Sequence, residues 1–213
     1  MNITHKICCC SGHRPNGFFW DCYNKNNKNH QEYLQLLEYI INRDISQNGF
    51  NYFISGGEIG VDMDFAEIVI KLREKYPHIH LELAIPCANQ TLKWRKEDKE
   101  RYQNILKNAG TVKILSSAYT PWCMDKRHRY MIDKAEKVLA VWNASGKGST
   151  YNTIQYAYKK NKSIEFIMLP ALNKNDFQKQ IDYYIEYSCS LKARKEKDEA
   201  IKRCWGYLKN ILE

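Results

Sequence analysis

The chain has 213 residues, a formal net charge of +9, 44% hydrophobic residues and 27% charged residues. These proportions are ordinary for a soluble globular protein; no apolar run approaches a membrane span, and no signal-peptide pattern opens the chain, so a cytoplasmic protein that does not bind membranes is predicted. The positive charge indicates affinity for polyanions, a class that includes nucleotides, nucleic acids and acidic proteins.

Apolar runs alternate with amphipathic stretches along the chain. The runs typical of buried parallel strands are residues 6–10, 50–54, 80–85, 112–115, 138–142 and 164–169. The helical stretches between them are a stripe containing Leu34, Leu37, Ile41 and Ile45, then residues 62–74, 91–107, 124–135 and 150–160. This alternation predicts an α/β fold, a Rossmann-like parallel sheet with helices on both faces.

The chain changes character after this unit. We expect the α/β domain to span residues 1–170 and a C-terminal helical extension to span residues 171–213. Two helices, 176–187 and 192–212, are predicted in the extension. Their aromatic side chains offer a surface for a homo-oligomer.

A glycine turn follows the second predicted strand, at residues 55–62 (SGGEIGVD). Ligands in such sheets bind beyond the carboxyl ends of the strands, where glycines allow positive φ and the next helix aims its amides at an anion. The glycines of this turn are candidate ligand-binding residues: Gly56, Gly57 and Gly60.

Two carboxylates accompany these glycines. Glu58 has no evident structural partner, so it is a candidate for binding a ribose hydroxyl and, if the protein is an enzyme, for general acid–base catalysis. Asp62 lies at the predicted helix start, where a helix N-cap is favoured over a ligand contact, which is kept as the alternative.

A second glycine-rich turn, GKGST, enters the last helix of the α/β unit. It matches neither the Walker A sequence nor the dinucleotide fingerprint. Its residues offer backbone amides, hydroxyl groups and one positive charge to a phosphate: Gly146, Lys147, Gly148, Ser149 and Thr150.

Three arginines complete the candidate site. Gly12 permits a turn after the first strand, and Arg14 two residues later can hold a phosphate or carboxylate. Arg127 and Arg129 lie on different faces of the fourth helical stretch, so we expect one of them to reach the ligand and the other to form a surface ion pair. Met124 in the same stretch is predicted to be a core residue.

The eight cysteines predict no metal site and no cofactor. They include no Cys-x-x-Cys pair, and three are consecutive in the first strand. His78 and His80 lack a thiol or carboxylate at ligand spacing. Reduced, partly buried thiols are the favoured interpretation.

In this order, the motifs resemble the SLOG superfamily, which groups LOG phosphoribohydrolases with DprA/Smf proteins, and within it the YpsA-like branch. The resemblance covers residues 6–169. It is carried by Gly12-x-Arg14-Pro15, Gly56-Gly57-x-x-Gly60-Val61-Asp62, Gln90-x-x-x-Trp94, Tyr102, Arg127-x-Arg129-Tyr130-Met131-x-Asp133 and Gly148-Ser149-Thr150. It implies a Rossmann-like domain that binds a nucleotide or a nucleotide-derived small molecule.

The resemblance does not extend to the full catalytic pattern of the LOG enzymes. Met124-x-x-Arg127 matches their Met-x-x-Arg element, but Lys147 and Ser149 replace two glycines of the later motif, and Thr153 stands where they carry a glutamate. LOG-type hydrolysis would therefore require Glu58 from the other turn.

Three functions follow from these residues. The first is sensing or sequestering a nucleotide-derived ligand, as in signalling or conflict systems. The second is N-glycosidic hydrolysis of a nucleotide, with Glu58 as acid–base and Arg14 and Arg127 on the phosphate. DprA-like binding of single-stranded DNA ranks last. Three aromatic residues are candidates for stacking on a base: Trp94, Tyr119 and Trp122, with core packing favoured at least equally for Trp94.

Overall fold

The computed structural model describes residues 4–169, so the two helices predicted for the C-terminal extension lie outside the described residues. Within residues 4–169, six strands form one sheet: β1 (Ile7–Gly12), β2 (Tyr52–Ser55), β3 (His80–Ile85), β4 (Thr111–Ile114), β5 (Lys137–Trp142) and β6 (Ser163–Met168). All neighbouring pairs are parallel, in the order β4-β3-β2-β1-β5-β6. The predicted parallel sheet is confirmed.

Five α-helices connect the strands: α1 (Lys28–Ser46), α2 (Val61–Leu72), α3 (Lys96–Asn108), α4 (Cys123–Lys134) and α5 (Ser149–Lys159). The helix predicted from residue 91 begins five residues later, because Arg95 has an extended backbone and residues 91–94 form turns. None of the helices in the described part of the chain has the length and apolarity needed to cross a membrane.

The helices cover both faces of the sheet, as predicted. Successive side chains of a strand point to opposite faces, so Cys8 and Cys10 pack into one apolar layer with α1, α2 and α3. Cys9, between them, packs into the second layer with α4 and α5. Strand β1 is therefore buried from both sides, which explains its unbroken apolar sequence.

The strand order creates a crevice beside β1. The chain adds β2, β3 and β4 on one side of β1, and then crosses back through α4 to place β5 on the other side. The loops that leave β1 and β5 consequently diverge. Ligand sites of open α/β sheets lie at such a switch point, beyond the carboxyl ends of the strands.

Candidate functional site

A cleft of about 1150 Å³ lies at this switch point. Its walls come from the loop after β1, the glycine turn before α2, the first turns of α4 and the loop between β5 and α5. The lining consists of residues 11–14, 16, 17, 58, 59, 62, 124, 127, 128, 143 and 145–150. Four segments that are distant in sequence thus meet in one concave site.

Most of the candidate residues line this cleft. Those that do are Gly12, Arg14, Glu58, Asp62, Arg127, Gly146, Gly148, Ser149 and Thr150. Those outside the lining are Gly56, Gly57, Gly60 and Arg129. The three glycines act through the backbone, and Arg129 lies on the outer surface of α4.

The glycine turn before α2 is built for close packing. Gly57 and Gly60 have positive φ angles of 63° and 93°. A Cβ on Gly60 would lie 2.6 Å from the carbonyl oxygen of His13, and a Cβ on Gly56 would collide with the side chains of Asp62 and Arg127. These glycines therefore bring the turn against the β1 loop and leave room for the charged groups behind it.

The predicted role of Asp62 as the N-cap of α2 is wrong. Gly60, whose backbone is not helical, is the N-cap, so Val61 begins the helix and Asp62 lies inside its first turn. The Asp62 carboxyl is buried in the cleft wall, with Oδ2 3.7 Å from Nη1 of Arg127. Burial raises the pKa of Asp62 to about 6, although Arg127 opposes this rise.

Glu58 has structural partners that the sequence did not reveal. Its Oε2 accepts a hydrogen bond of 2.7 Å from Nη2 of Arg14, and its Oε1 accepts one of 3.1 Å from the amide of Ile59. The Arg14 side chain is 55% exposed, whereas that of Glu58 is 8% exposed. The ion pair joins the β1 loop to the glycine turn across the cleft.

Arg127 is a buried arginine, 5% exposed. Its Nη1 donates to the carbonyl oxygen of Gly56 at 3.2 Å, and its Nη2 lies 2.7 Å from Nε2 of His128. Because arginine can only donate, His128 accepts at Nε2 and its ring is neutral; burial and Arg127 lower its pKa well below the ordinary value. Nε of Arg127 has no hydrogen-bond partner within residues 4–169.

Arg129 points away from this cluster. Its Nε forms an ion pair of 2.6 Å with Asp125, and its guanidinium lies 4.7 Å from the ring centre of Tyr156. The Arg129 side chain is 54% exposed. Of the two arginines, Arg127 is the one on the cleft side of α4.

The start of α5 faces the cleft without a side-chain cap. Gly148 is the N-cap, with φ of 97°, and among the described residues no side chain caps the amides of the first turn. Oγ of Ser149 lies 3.3 Å from Nε2 of His128, and Oγ1 of Thr150 donates to the carbonyl oxygen of Gly12 at 3.0 Å. The hydroxyl of Thr150 thus fixes α5 against β1.

Thr153 plays no part in the cleft lining. It is buried, and its Oγ1 donates to the carbonyl oxygen of Ser149 at 2.9 Å within α5. Position 153 thus carries no carboxylate, and the carboxylates that line the cleft within residues 4–169 are Glu58 and Asp62.

Several lining residues were not predicted from the sequence. Met124 lines the cleft and is not the predicted core residue; it lies one turn before Arg127 and shares its face of α4. His13 accepts a hydrogen bond of 3.2 Å at Nε2 from the amide of Asn143, and burial lowers its pKa to about 4. A histidine directly after Gly12 was a usable signal, whereas nothing in the sequence singled out Asn143.

The aromatic residues proposed to stack on a base lie elsewhere. Trp94 packs edge-on against Tyr102, with 5.4 Å between the ring centres, while Tyr119 and Trp122 are 62% and 75% exposed. None of the three lines the cleft. Within residues 4–169 no group of three or more histidine, cysteine or acidic side chains is placed to hold a metal ion.

Comparison with known proteins gives a consistent family. The YpsA model, described as the YspA SLOG family, matches residues 8–172. A UPF0398 protein of Brevibacillus brevis is 30% identical over 68% of this chain and 79% of its own length. UPF0398 proteins of Halalkalibacterium halodurans and Bacillus pumilus are 28% and 24% identical, over 62% and 64% of this chain and 66% and 72% of theirs. The chain belongs to the YpsA family of SLOG proteins.

Proposed function

We propose that the protein binds a nucleotide or nucleotide-derived ligand in the cleft between the β1 and β5 loops, and so senses or sequesters it. One observation carries this proposal: the uncapped start of α5 opens into the same cleft as Arg14 and Arg127. Helix N-terminal amides and arginines are both suited to phosphate oxygens.

The charges of the cleft support the same ligand class. Of the residues that the structure describes, three cationic side chains line it, Arg14, Arg127 and Lys147, against the two carboxylates Glu58 and Asp62. The cations and the α5 amides favour the phosphate end of a nucleotide, whereas carboxylate oxygens accept hydrogen bonds from sugar hydroxyls. The volume of about 1150 Å³ accommodates a molecule larger than a mononucleotide.

Calorimetric titration with nucleoside phosphates, ADP-ribose and cyclic nucleotides tests the proposal. We expect at least one of them to bind, and Arg127→Gln to weaken its binding on the order of 10- to 100-fold, the usual effect of losing a charged hydrogen bond. Arg129→Gln is the matched control, because this arginine lies on the same helix outside the cleft. A panel in which nothing binds contradicts the proposal.

A second candidate is cleavage of the bond between base and sugar. It is favoured by the two carboxyl groups in the cleft, of which Asp62 has a pKa raised to about 6 by burial despite Arg127. A raised pKa suits a general acid near neutral pH. In this mechanism Arg14 and Arg127 hold the phosphate, Glu58 is the acid–base residue singled out by the sequence, and Asp62 is the alternative acid.

Chromatography after incubation with nucleotides measures this activity. If it occurs, a released base appears with the wild-type protein and Glu58→Gln lowers the rate at least about 100-fold. Release that survives Glu58→Gln but is lost in Asp62→Asn would transfer the acid role to Asp62. Intact nucleotide in every reaction would leave binding as the function of the cleft.

A further inference from the structure

The interior wall of the cleft holds one ion pair with imperfect geometry. Oδ2 of Asp62 and Nη1 of Arg127 are 3.7 Å apart, which is too long for a hydrogen bond, and both residues are at least nine-tenths buried. The guanidinium instead donates hydrogen bonds to the carbonyl oxygen of Gly56 and to His128, and its Nε has no partner within residues 4–169. Arg127 therefore lines the cleft with one buried donor unpaired within the described residues.

Within residues 4–169, the charged and titratable groups nearest Asp62 come from α4, the glycine turn, the β1 loop and β1. Arg127 faces it from α4, Glu58 from the glycine turn and Arg14 from the β1 loop, while Cys9 and Cys10 approach it from β1. Burial keeps both thiols protonated, since it raises the pKa of Cys9 to about 12 and that of Cys10 well above its ordinary value. In the described part of the chain, the charged groups near Asp62 are thus two arginines and one other carboxylate.

An anion bound at Arg127 changes this balance. It would lie a few ångströms from the Asp62 carboxylate, where two negative charges repel each other strongly because water is excluded. It would also take over the guanidinium that favours the ionised carboxyl. Both effects favour the protonated carboxyl in the bound state.

We propose that the cleft takes up a proton when it binds an anionic ligand, and that Asp62 receives this proton. The inference rests on the ligand-binding function proposed above. The proton comes from solvent and forms an O–H bond on the carboxyl group, and no other covalent bond changes. The ligand class is narrowed to anions whose charge lies next to Arg127, and their affinity rises as the pH falls.

The pKa of about 6 for Asp62, which burial raises in spite of Arg127, places this uptake near neutral pH. The two histidines that line the cleft within residues 4–169 are uncharged before the ligand binds. The pKa of His13 is lowered to about 4, and that of His128 is lowered well below its ordinary value, chiefly by burial in each case. Both rings are therefore neutral where Asp62 titrates.

Calorimetry in two buffers of different ionisation enthalpy measures the protons taken up per ligand. The probes are ADP-ribose and inorganic sulfate, because neither changes its own charge between about pH 5.5 and pH 8. We expect roughly half a proton per ADP-ribose near pH 6.5, an uptake that vanishes above about pH 8.5, and binding about fivefold tighter at pH 6 than at pH 8.

The variant Asp62→Asn tests whether the Asp62 carboxyl is the group that takes up the proton. Asparagine has the shape of the protonated carboxyl, so this variant should bind ADP-ribose without proton uptake, and at pH 8 on the order of tenfold more tightly than the wild type. Asp125→Asn removes an exposed carboxylate of α4 outside the cleft, and it should behave like the wild type.

The outcomes separate the two proposals. Binding of ADP-ribose or sulfate without proton uptake by the wild type overturns this inference alone, as does uptake that persists in Asp62→Asn. If Asp62→Asn fails to fold, the proton uptake of the wild type and its dependence on pH still decide whether the inference holds. If neither probe binds at any pH, this inference fails; the proposed function fails with it only if the nucleoside phosphates and cyclic nucleotides do not bind either.

Discussion

Single backbone positions control the shape of the cleft. Gly60 holds a φ of 93°, which other residues rarely adopt, and a Cβ there would meet the backbone of the β1 loop. Gly146 lies on the opposite wall, and an added Cβ at that position has no atom within 4 Å. Backbone conformation and close packing therefore require a glycine at position 60, whereas the space around position 146 admits a larger residue.

We expect Gly60→Ala to lower the free energy of unfolding by about 2 kcal/mol or more, because both the strained φ and the backbone collision must be relieved. Gly146→Ala should change it by less than about 0.5 kcal/mol. Urea denaturation of the two variants beside the wild type measures the difference. Equal unfolding midpoints for both variants would show that the β1 loop moves aside without strain.

At the scale of elements, buried charges join α1 to the sheet at the end opposite the cleft. Lys137 at the start of β5 forms ion pairs with Asp44 of α1 and Glu165 of β6, and Arg43 of α1 also bonds to Glu165 at 2.5 Å. Burial by itself would raise the pKa of Glu165, but Lys137 and Arg43 lower it to about 2. The ionised carboxylate is thus strongly favoured in the folded state.

This network makes a prediction about acid stability. A carboxyl whose pKa is lower in the folded state than in the unfolded chain stabilises the fold above the unfolded value, and this stabilisation disappears as the pH falls towards the folded value. The contribution of Glu165 is about 3 kcal/mol at pH 7, and it is lost between about pH 4.5 and pH 2.

Glu165→Gln should therefore be less stable than the wild type at pH 7, and the difference should shrink as the pH approaches 2. Urea titrations at several pH values measure it. Glu38→Gln is the control, since Glu38 pairs with Lys71 on the surface and its loss should cost less than about 1 kcal/mol. Parallel profiles of unfolding free energy against pH for Glu165→Gln and the wild type would show that ionised Glu165 does not cause the loss of stability in acid.

For the molecule as a whole, the architecture could be predicted from the sequence more accurately than the contacts between side chains. Continuous apolar strands alternating with amphipathic stretches were sufficient for a parallel sheet with two helical layers, because each local pattern repeats along the chain. The two glycine turns were recognised for a related reason, since glycine and hydroxyl residues at strand ends form a local signal.

Contacts between distant segments left no such signal. The pairing of Asp62 with Arg127 depends on the path of α4, which crosses from β4 over the sheet to β5, and spacing along the chain does not describe that path. The same limit explains why Glu58 was expected to lack a partner and why Met124 was assigned to the core. Trp122 was predicted to stack on a base, yet it lies on the surface beyond the cleft.

The alternating cysteines of β1 have a consequence for chemical labelling. A thiol reacts as its thiolate, and burial raises the pKa of Cys9 to about 12 and those of Cys8 and Cys10 well above the ordinary value. Alkylating reagents should therefore modify these thiols only after the helix layers separate from the sheet. Since Cys9 faces α4 and α5 whereas its two neighbours face the other helices, the central strand carries separate reporters for the opening of each layer.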